Sequence, residues 1–279
     1  MAITNETNGN EIVTCATLQE VYNLKNSQCP NKSNADIWAG EFADNAHKNR
    51  IAWFGIDKNC NAILEDPTFP AGFEYIKSAR AELGLLEMPE PTSAKRVISF
   101  GVSGDELDDT RTGLPECWSS RRRKFTGGGS PVIRIAVQIN ANSGTKASKM
   151  VWNGAATAVL VDRLEDAGWR CEVTAYTKSI GQFVGKGFIA HCEVIIKDAD
   201  DPLNLSVLSD TIGFPGFFRT FIFRLYLESK FYCDSGLGHS VVSDPFNAKD
   251  YHIVLKRSES LEEAAGNVRL QLQKFTNKK

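Results

Sequence analysis

From Pro131 onward the apolar positions change period several times, and each change marks an element. Val132-Ile133-Arg134-Ile135-Ala136-Val137-Gln138-Ile139-Asn140 is an apolar run dense in β-branched residues, as expected of a buried central strand. A polar loop, 141–146, follows. From Ser148 to about Ala167 the spacing becomes helical. Trp152, Ala156, Val159, Leu160 and Leu164 share one face, and Gly168 stops the helix. Residues 171–177 read as the next strand. Strand, helix, strand is a βαβ unit, which implies a parallel pair with a right-handed crossover.

The link to the next apolar run, 191–197, is short and holds Gly181, Gly185 and Gly187. It suits a hairpin, so the third strand is expected to be antiparallel. A helical stretch follows Asn204, is interrupted at Gly213-Phe214-Pro215-Gly216, and gives way to the apolar run 217–227. Residues 252–255 predict a late strand. Ser260 caps a final helix with Glu263 completing a capping box. Leu261, Ala265, Val268 and Leu272 form its apolar face.

The first 95 residues are less patterned. Thr17 to Leu24 suits a short helix, with Thr17 as N-cap and Glu20 three residues on. Ile37, Trp38 and Phe42 suit another, over 34–45. Phe73, Ile76, Ala79 and Leu83 have helical spacing. Pro89, Pro91 and Ser93 mark a boundary. The expected organisation is a smaller, mainly helical region over 1–95 and an α/β region over 96–279. The latter would be a mostly parallel, Rossmann-like sheet with one antiparallel edge strand, flanked by helices.

Composition narrows the function classes. Of 279 residues, 24% are charged and 42% hydrophobic, and the net charge is -2. Such a balance excludes a disordered tail and a strongly basic nucleic-acid coat. No apolar run is long enough to cross a bilayer, and the start lacks the blocks of a signal peptide. A cytoplasmic location with no membrane partner is the expectation. Seven cysteines without a C-x-x-C pair suit buried thiols better than a zinc site or a disulfide framework.

Two zones carry candidate chemistry. Asp105, Glu106, Asp108 and Asp109 are a dense carboxylate group, and Arg121, Arg122, Arg123 and Lys124 the one dense basic run. That run could touch phosphate backbones or be a solvated loop. Cys117 could serve as a nucleophile, but no His is near it in sequence.

The second half resembles the von Willebrand factor A-type fold of chelatase-like and AAA-ATPase-associated proteins. The residues are Ile135 to Thr145, Gly154-Ala155-Ala156 through Leu160, Leu164-Glu165-Asp166-Ala167-Gly168 and Cys171 to Thr177. It is also similar to a family of uncharacterised phage and bacterial proteins. That likeness rests on Gly113-x-Pro115-Glu116-Cys117-Trp118, Lys197-Asp198-x-Asp200-Asp201-Pro202-Leu203, and Phe214-Pro215 with Arg219 and Phe223. It spans roughly 95–275.

A-type domains often hold Mg²⁺ at a D-x-S-x-S loop after the first strand. The matching positions here are Asn140, Asn142 and Gly144, with Ser143 and Thr145 nearby. The charge that would offset stripping water from Mg²⁺ is missing. Thr177 matches the more distant Thr ligand. The expectation is therefore a degenerate site with no cofactor, Mg²⁺ being the alternative. Its rim, formed by Asn140, Asn142, Ser143, Thr145 and Thr177, would dock a protein partner, an ATPase or a virion component. The alternatives are a nucleic-acid-binding or processing factor using 103–124, and a virion structural or assembly component.

Overall fold

The computed structural model describes residues 4–8, 11–24, 49–84, 86–89, 91, 94–101, 106–107, 118–125, 131–142, 144–183, 186–228 and 241–277. The order begins β1 (Thr4–Asn8), β2 (Glu11–Thr17), α1 (Leu18–Asn23), α2 (Arg50–Phe54), α3 (Cys60–Glu65) and α4 (Gly72–Leu83). Next come β3 (Ala94–Gly101), β4 (Glu106–Leu107), β5 (Trp118–Phe125), β6 (Val132–Gln138), α5 (Ala147–Asp166), β7 (Arg170–Phe183) and β8 (Lys186–Lys197). The chain ends with α6 (Leu205–Asp210), α7 (Pro215–Phe217), a π-helical turn (Phe218–Ile222), α8 (Phe223–Glu228), β9 (Ile253–Leu255) and α9 (Leu261–Asn277). The expected helix over 34–45 lies outside the described residues.

The main sheet has the order β1-β2-β8-β7-β6-β9. β6 is parallel to β7 and β9, and β8 is antiparallel to β7. The fold is thus α/β, with the βαβ unit and the hairpin where the residue pattern puts them. β8 is not an edge, however. β2 pairs parallel to it, and β1 adds beyond. Nor does position 95 separate two cores. Ala16, Val21, Phe54, Ile63, Ile76 and Leu83 are buried in one continuous core with Ile135, Leu160, Val173 and Phe221. The early segments hide because each contributes only a few apolar residues, too short a stretch to show a period.

Alternation along the strands divides the two faces. Val137, Val173, Ala175 and Thr177 are buried toward the helices. Gln138, Tyr176 and Glu193 point the other way and meet the segment 241–251. Gln138 Nε2 donates to Val241 O at 2.5 Å and Tyr176 Oη to Ser243 O at 2.9 Å. Glu193 accepts from Phe246 N at 2.9 Å and from Tyr251 Oη at 3.0 Å.

Helix α5 is buried on nearly every side, so its sequence needs small residues where other backbone comes close. A Cβ on Gly154 would lie 2.2 Å from Ile212 O. Gly168 ends the α5 turn with φ 97°, a conformation costly for other residues. Thr17 makes the expected capping box with Glu20 on α1. At α9 the Glu263 N–H donates to Ser260 Oγ at 3.2 Å, while its carboxylate accepts from Glu259 N rather than from Ser260. Phe73, expected on the apolar face of α4, is 47% exposed, whereas Ile76, Ala79 and Leu83 are buried.

Burial pushes the Glu193 carboxyl above its ordinary value of 4.5; its hydrogen bonds with Tyr251 and Phe246 pull the other way and do not cancel it. A raised folded pKa means the folded state holds the proton more tightly than the unfolded chain. The resulting stability is fully present below the unfolded value and is lost as pH rises through the folded one. Glu193→Gln keeps an acceptor oxygen and cannot ionise. It is expected to melt at or above the wild-type temperature at neutral pH, and to lose this part of the pH dependence. Melting curves across the acid-to-neutral range check this, and a lower melting point for the variant at neutral pH would contradict it.

Candidate functional site

The loop between β6 and α5 leaves the carboxyl end of a central parallel strand. β6 has β7 on one side and β9 on the other, and the carboxyl end of such a strand is where open α/β sheets commonly bind ligands. Asn153 of α5 fixes the floor. Its Nδ2 donates to Gln138 O at 2.8 Å and more weakly to Leu255 O at 3.4 Å, tying the ends of β6 and β9 together.

Asn140 is 1% exposed. Its Nδ2 donates to Lys178 O at 2.8 Å, a carbonyl that also accepts from Val241 N at 3.0 Å. Its Oδ1 has no donor among the described residues. Thr177 is also 1% exposed, and its hydroxyl bonds the Tyr226 hydroxyl of α8. β7 runs on to Phe183, so Thr177 is mid-strand and faces the helical core. Neither side chain can touch a partner, which corrects their expected place on the rim. Asn142 is exposed and Thr145 half-buried, so these two do reach the surface. Ser143 lies outside the described residues.

Arg219 decides the shape of this loop. It sits in the π-helical turn and is 0% exposed. Its guanidinium donates to Trp53 O, to Thr145 O at 2.5 Å and weakly to Asn142 O at 3.5 Å. The guanidinium carbon lies 3.6 Å from the Trp53 ring centroid, a cation–π contact strengthened by exclusion of water. Burial lowers its pKa to about 9, which leaves it charged at neutral pH. The planar fork therefore pulls two loop carbonyls inward and turns the loop's other side to solvent. An arginine inside the apolar run 217–227 was the available signal, since a charge there is buried only if its donors are satisfied. π-helical turns are themselves often found at functional positions.

The donor set does not fit Mg²⁺. The three positions matching the acidic and hydroxyl ligands are Asn140, Asn142 and Gly144, none of them anionic. The Thr177 hydroxyl is taken up by Tyr226, and the loop carbonyls already face a cation. Among the described residues no group of three or more His, Cys, Asp or Glu could hold a metal ion.

At the opposite rim is a cleft of about 500 Å³, lined by Thr17, Tyr22, Lys197, Asp198, Asp201 and Asn204 among others. Several of its polar groups are engaged within the fold. Lys197 pairs with Glu165 at 2.8 Å and donates to Cys171 O, and Thr17 and Asn204 cap helices. Cys60, Cys171 and Cys192 are buried, and burial pushes each thiol up, Cys60 and Cys171 to about 12. These are unreactive thiols, as buried cysteines usually are. Cys117 and the acidic residues 105, 108 and 109 lie outside the described residues. The basic run is not a loop; Arg121, Arg122, Arg123 and Lys124 belong to β5, the middle strand of a separate β3-β5-β4 sheet.

A family model described as "Domain of unknown function (DUF7192)" matches residues 19–278. The chain belongs to this family. The DUF7192 match takes in the helices over 50–83 as well as the α/β region, in keeping with their shared core. No curated protein and no solved structure matches the chain. Among the described residues no helix is long and apolar enough to cross a membrane.

Proposed function

We propose that this DUF7192 chain is a non-catalytic protein-interaction module that docks a partner at the carboxyl end of β6. Asn142 and Thr145 are the contact residues; Asn140 and Thr177 act from beneath, as supports. The observation that carries this reading is the Arg219 fork. It holds Thr145 O at 2.5 Å and Asn142 O at 3.5 Å from below while Asn142 remains exposed. A loop ordered in advance loses little further entropy on binding, so its contacts convert more fully into affinity. In metal-bearing A-type domains the partner's carboxylate completes a metal shell; here neutral amide and hydroxyl groups offer hydrogen bonds instead. The setting we infer from the resemblance is the cytoplasm of a bacterial or phage-infected cell, with an ATPase or a virion component as the partner.

The test is retention of proteins from nuclease-treated native lysate on wild type and on Asn142→Ala/Thr145→Ala. Both substitutions leave the carbonyls on Arg219 in place. A stoichiometric protein held by the wild type is expected to be lost, at least tenfold, from a variant with the same melting temperature. Equal retention on both would remove the proposal.

A further inference from the structure

The β3-β5-β4 sheet places cations in a way a linear sequence hides. In the antiparallel β3/β5 pair, Lys95 stands opposite Lys124 and Arg96 opposite Arg123. Arg122 and Arg121 follow on β5, opposite Val97 and Ile98. Residues directly opposite share a face, and faces alternate along each strand. One face therefore carries Arg96, Arg121 and Arg123, and the other Lys95, Arg122 and Lys124. The one carboxylate in the three strands is Glu106, opposite Ser119 near the far end. Like charges directly opposite one another destabilise a sheet, and here two such rungs are adjacent, one for each face. The whole chain has a net charge of -2, so the cations are a local concentration and not a general excess. Phe100 and Phe125 belong to the first face, and Trp118 to the second.

We infer that the β3-β5-β4 ribbon is a nucleic-acid-binding element that meets phosphodiester backbone on both of its faces. Phosphodiester groups are the anions that would neutralise a like-charge rung on either face, and Phe and Trp, interleaved with the cations along the same strands, are residue types on which bases stack. An anionic membrane suits this distribution less well, because a surface-bound element gathers its cations on one side and its apolar residues on the other. A groove or a wrapped single strand puts phosphates on two sides of a ribbon.

The test uses the full chain and fluorescence anisotropy with single-stranded DNA, single-stranded RNA and duplex DNA. Phosphatidylserine vesicles serve as a parallel probe. Affinity for at least one nucleic acid is expected to fall on the order of a hundredfold between about 50 and 200 mM salt, as four or more phosphate contacts require. Arg121→Gln/Arg123→Gln and Arg122→Gln/Lys124→Gln remove two cations from one face each. Each pair is expected to weaken binding at least tenfold and to flatten the salt slope by ~1.4 on single strands or ~1.8 on duplex. Because each pair also relieves a like-charge rung, neither variant should melt below the wild type. Absence of binding at low salt, binding indifferent to both pairs, or retention on vesicles and not on nucleic acid would overturn the inference. Loss from one pair alone would overturn the two-faced grip, and a lower melting point in either variant would show the cations holding the fold instead.

Discussion

Arg219→Ala is expected to lower the unfolding free energy by roughly 4 kcal/mol, from a cavity in the core and orphaned carbonyl groups together. The side chain is wholly buried and reaches Trp53 O and Thr145 O. Removing it strands both acceptors, empties the space against the Trp53 ring, and cuts the link between α2, the β6–α5 loop and the π-helical turn. Relief of a buried charge offsets part of this loss. The two terms can be separated with Arg219→Met, which fills more of the space and carries no charge. Met should cost less than Ala in urea unfolding. Both should speed amide exchange over 144–147, because neither can bond the loop carbonyls. An Ala variant within about 0.5 kcal/mol of wild type, a change typical of surface sites, would mean the guanidinium is not what holds the loop.

Gly154→Ala is expected to cost about 3 kcal/mol, as severe overpacking does. On helix propensity alone the substitution would gain up to about 1 kcal/mol. The clash wins because the obstacle is backbone. The added Cβ would meet Ile212 O at 2.2 Å, Ile212 C at 2.3 Å and Gly213 N at 2.4 Å, with no flexible side chain to yield. Either α5 or the turn after α6 must retreat, opening the contact that seats the apolar helices 215–228. Gly266 in α9 has nothing within 4 Å of its Cβ position, so Gly266→Ala should show the propensity gain alone. Opposite signs for one substitution in two helices can be read from paired denaturant titrations. A neutral Gly154→Ala would show that the α5 contact is loose.

The parts of the fold legible in sequence are those where one period persists over many residues. β6, α5, β7 and β8 are long, and a residue's neighbours on its own face are set by its own segment. β1 and β2 are not legible because Thr4–Asn8 is polar throughout and the apolar residues of β2, Ile12, Val13, Cys15 and Ala16, do not alternate with polar ones. β1 pairs only with β2, and the other partner of β2, β8, is far along the chain (Glu11 stands beside Ile189), so no local pattern announces that pairing. The site divides in the same way. Asn142 and Thr145 were visible because the loop after a central strand is a known place to look. Thr177 was misplaced because strand length is set by pairing with β8 out to Phe183, and not by the apolar run. Arg219 lay inside an apolar stretch that reads as core. Its acceptors, Trp53 O and Thr145 O, come from segments that only the tertiary fold brings together. The basic run on β5 was evident, but its opposition to Lys95 and Arg96 depends on register.

The most direct measurement is site-specific photo-crosslinking from position 142 in nuclease-treated native lysate, with position 200 as the control. Asn142 and Asp200 are both exposed. Asp200 follows β8, which runs against β7, and so lies at the opposite rim. The expected result is one protein joined at 142, absent at 200, and lost on changing Arg219 to Met with the chain still folded. Crosslinking of the same proteins at both positions, or of none at 142, would contradict docking at the β6 rim.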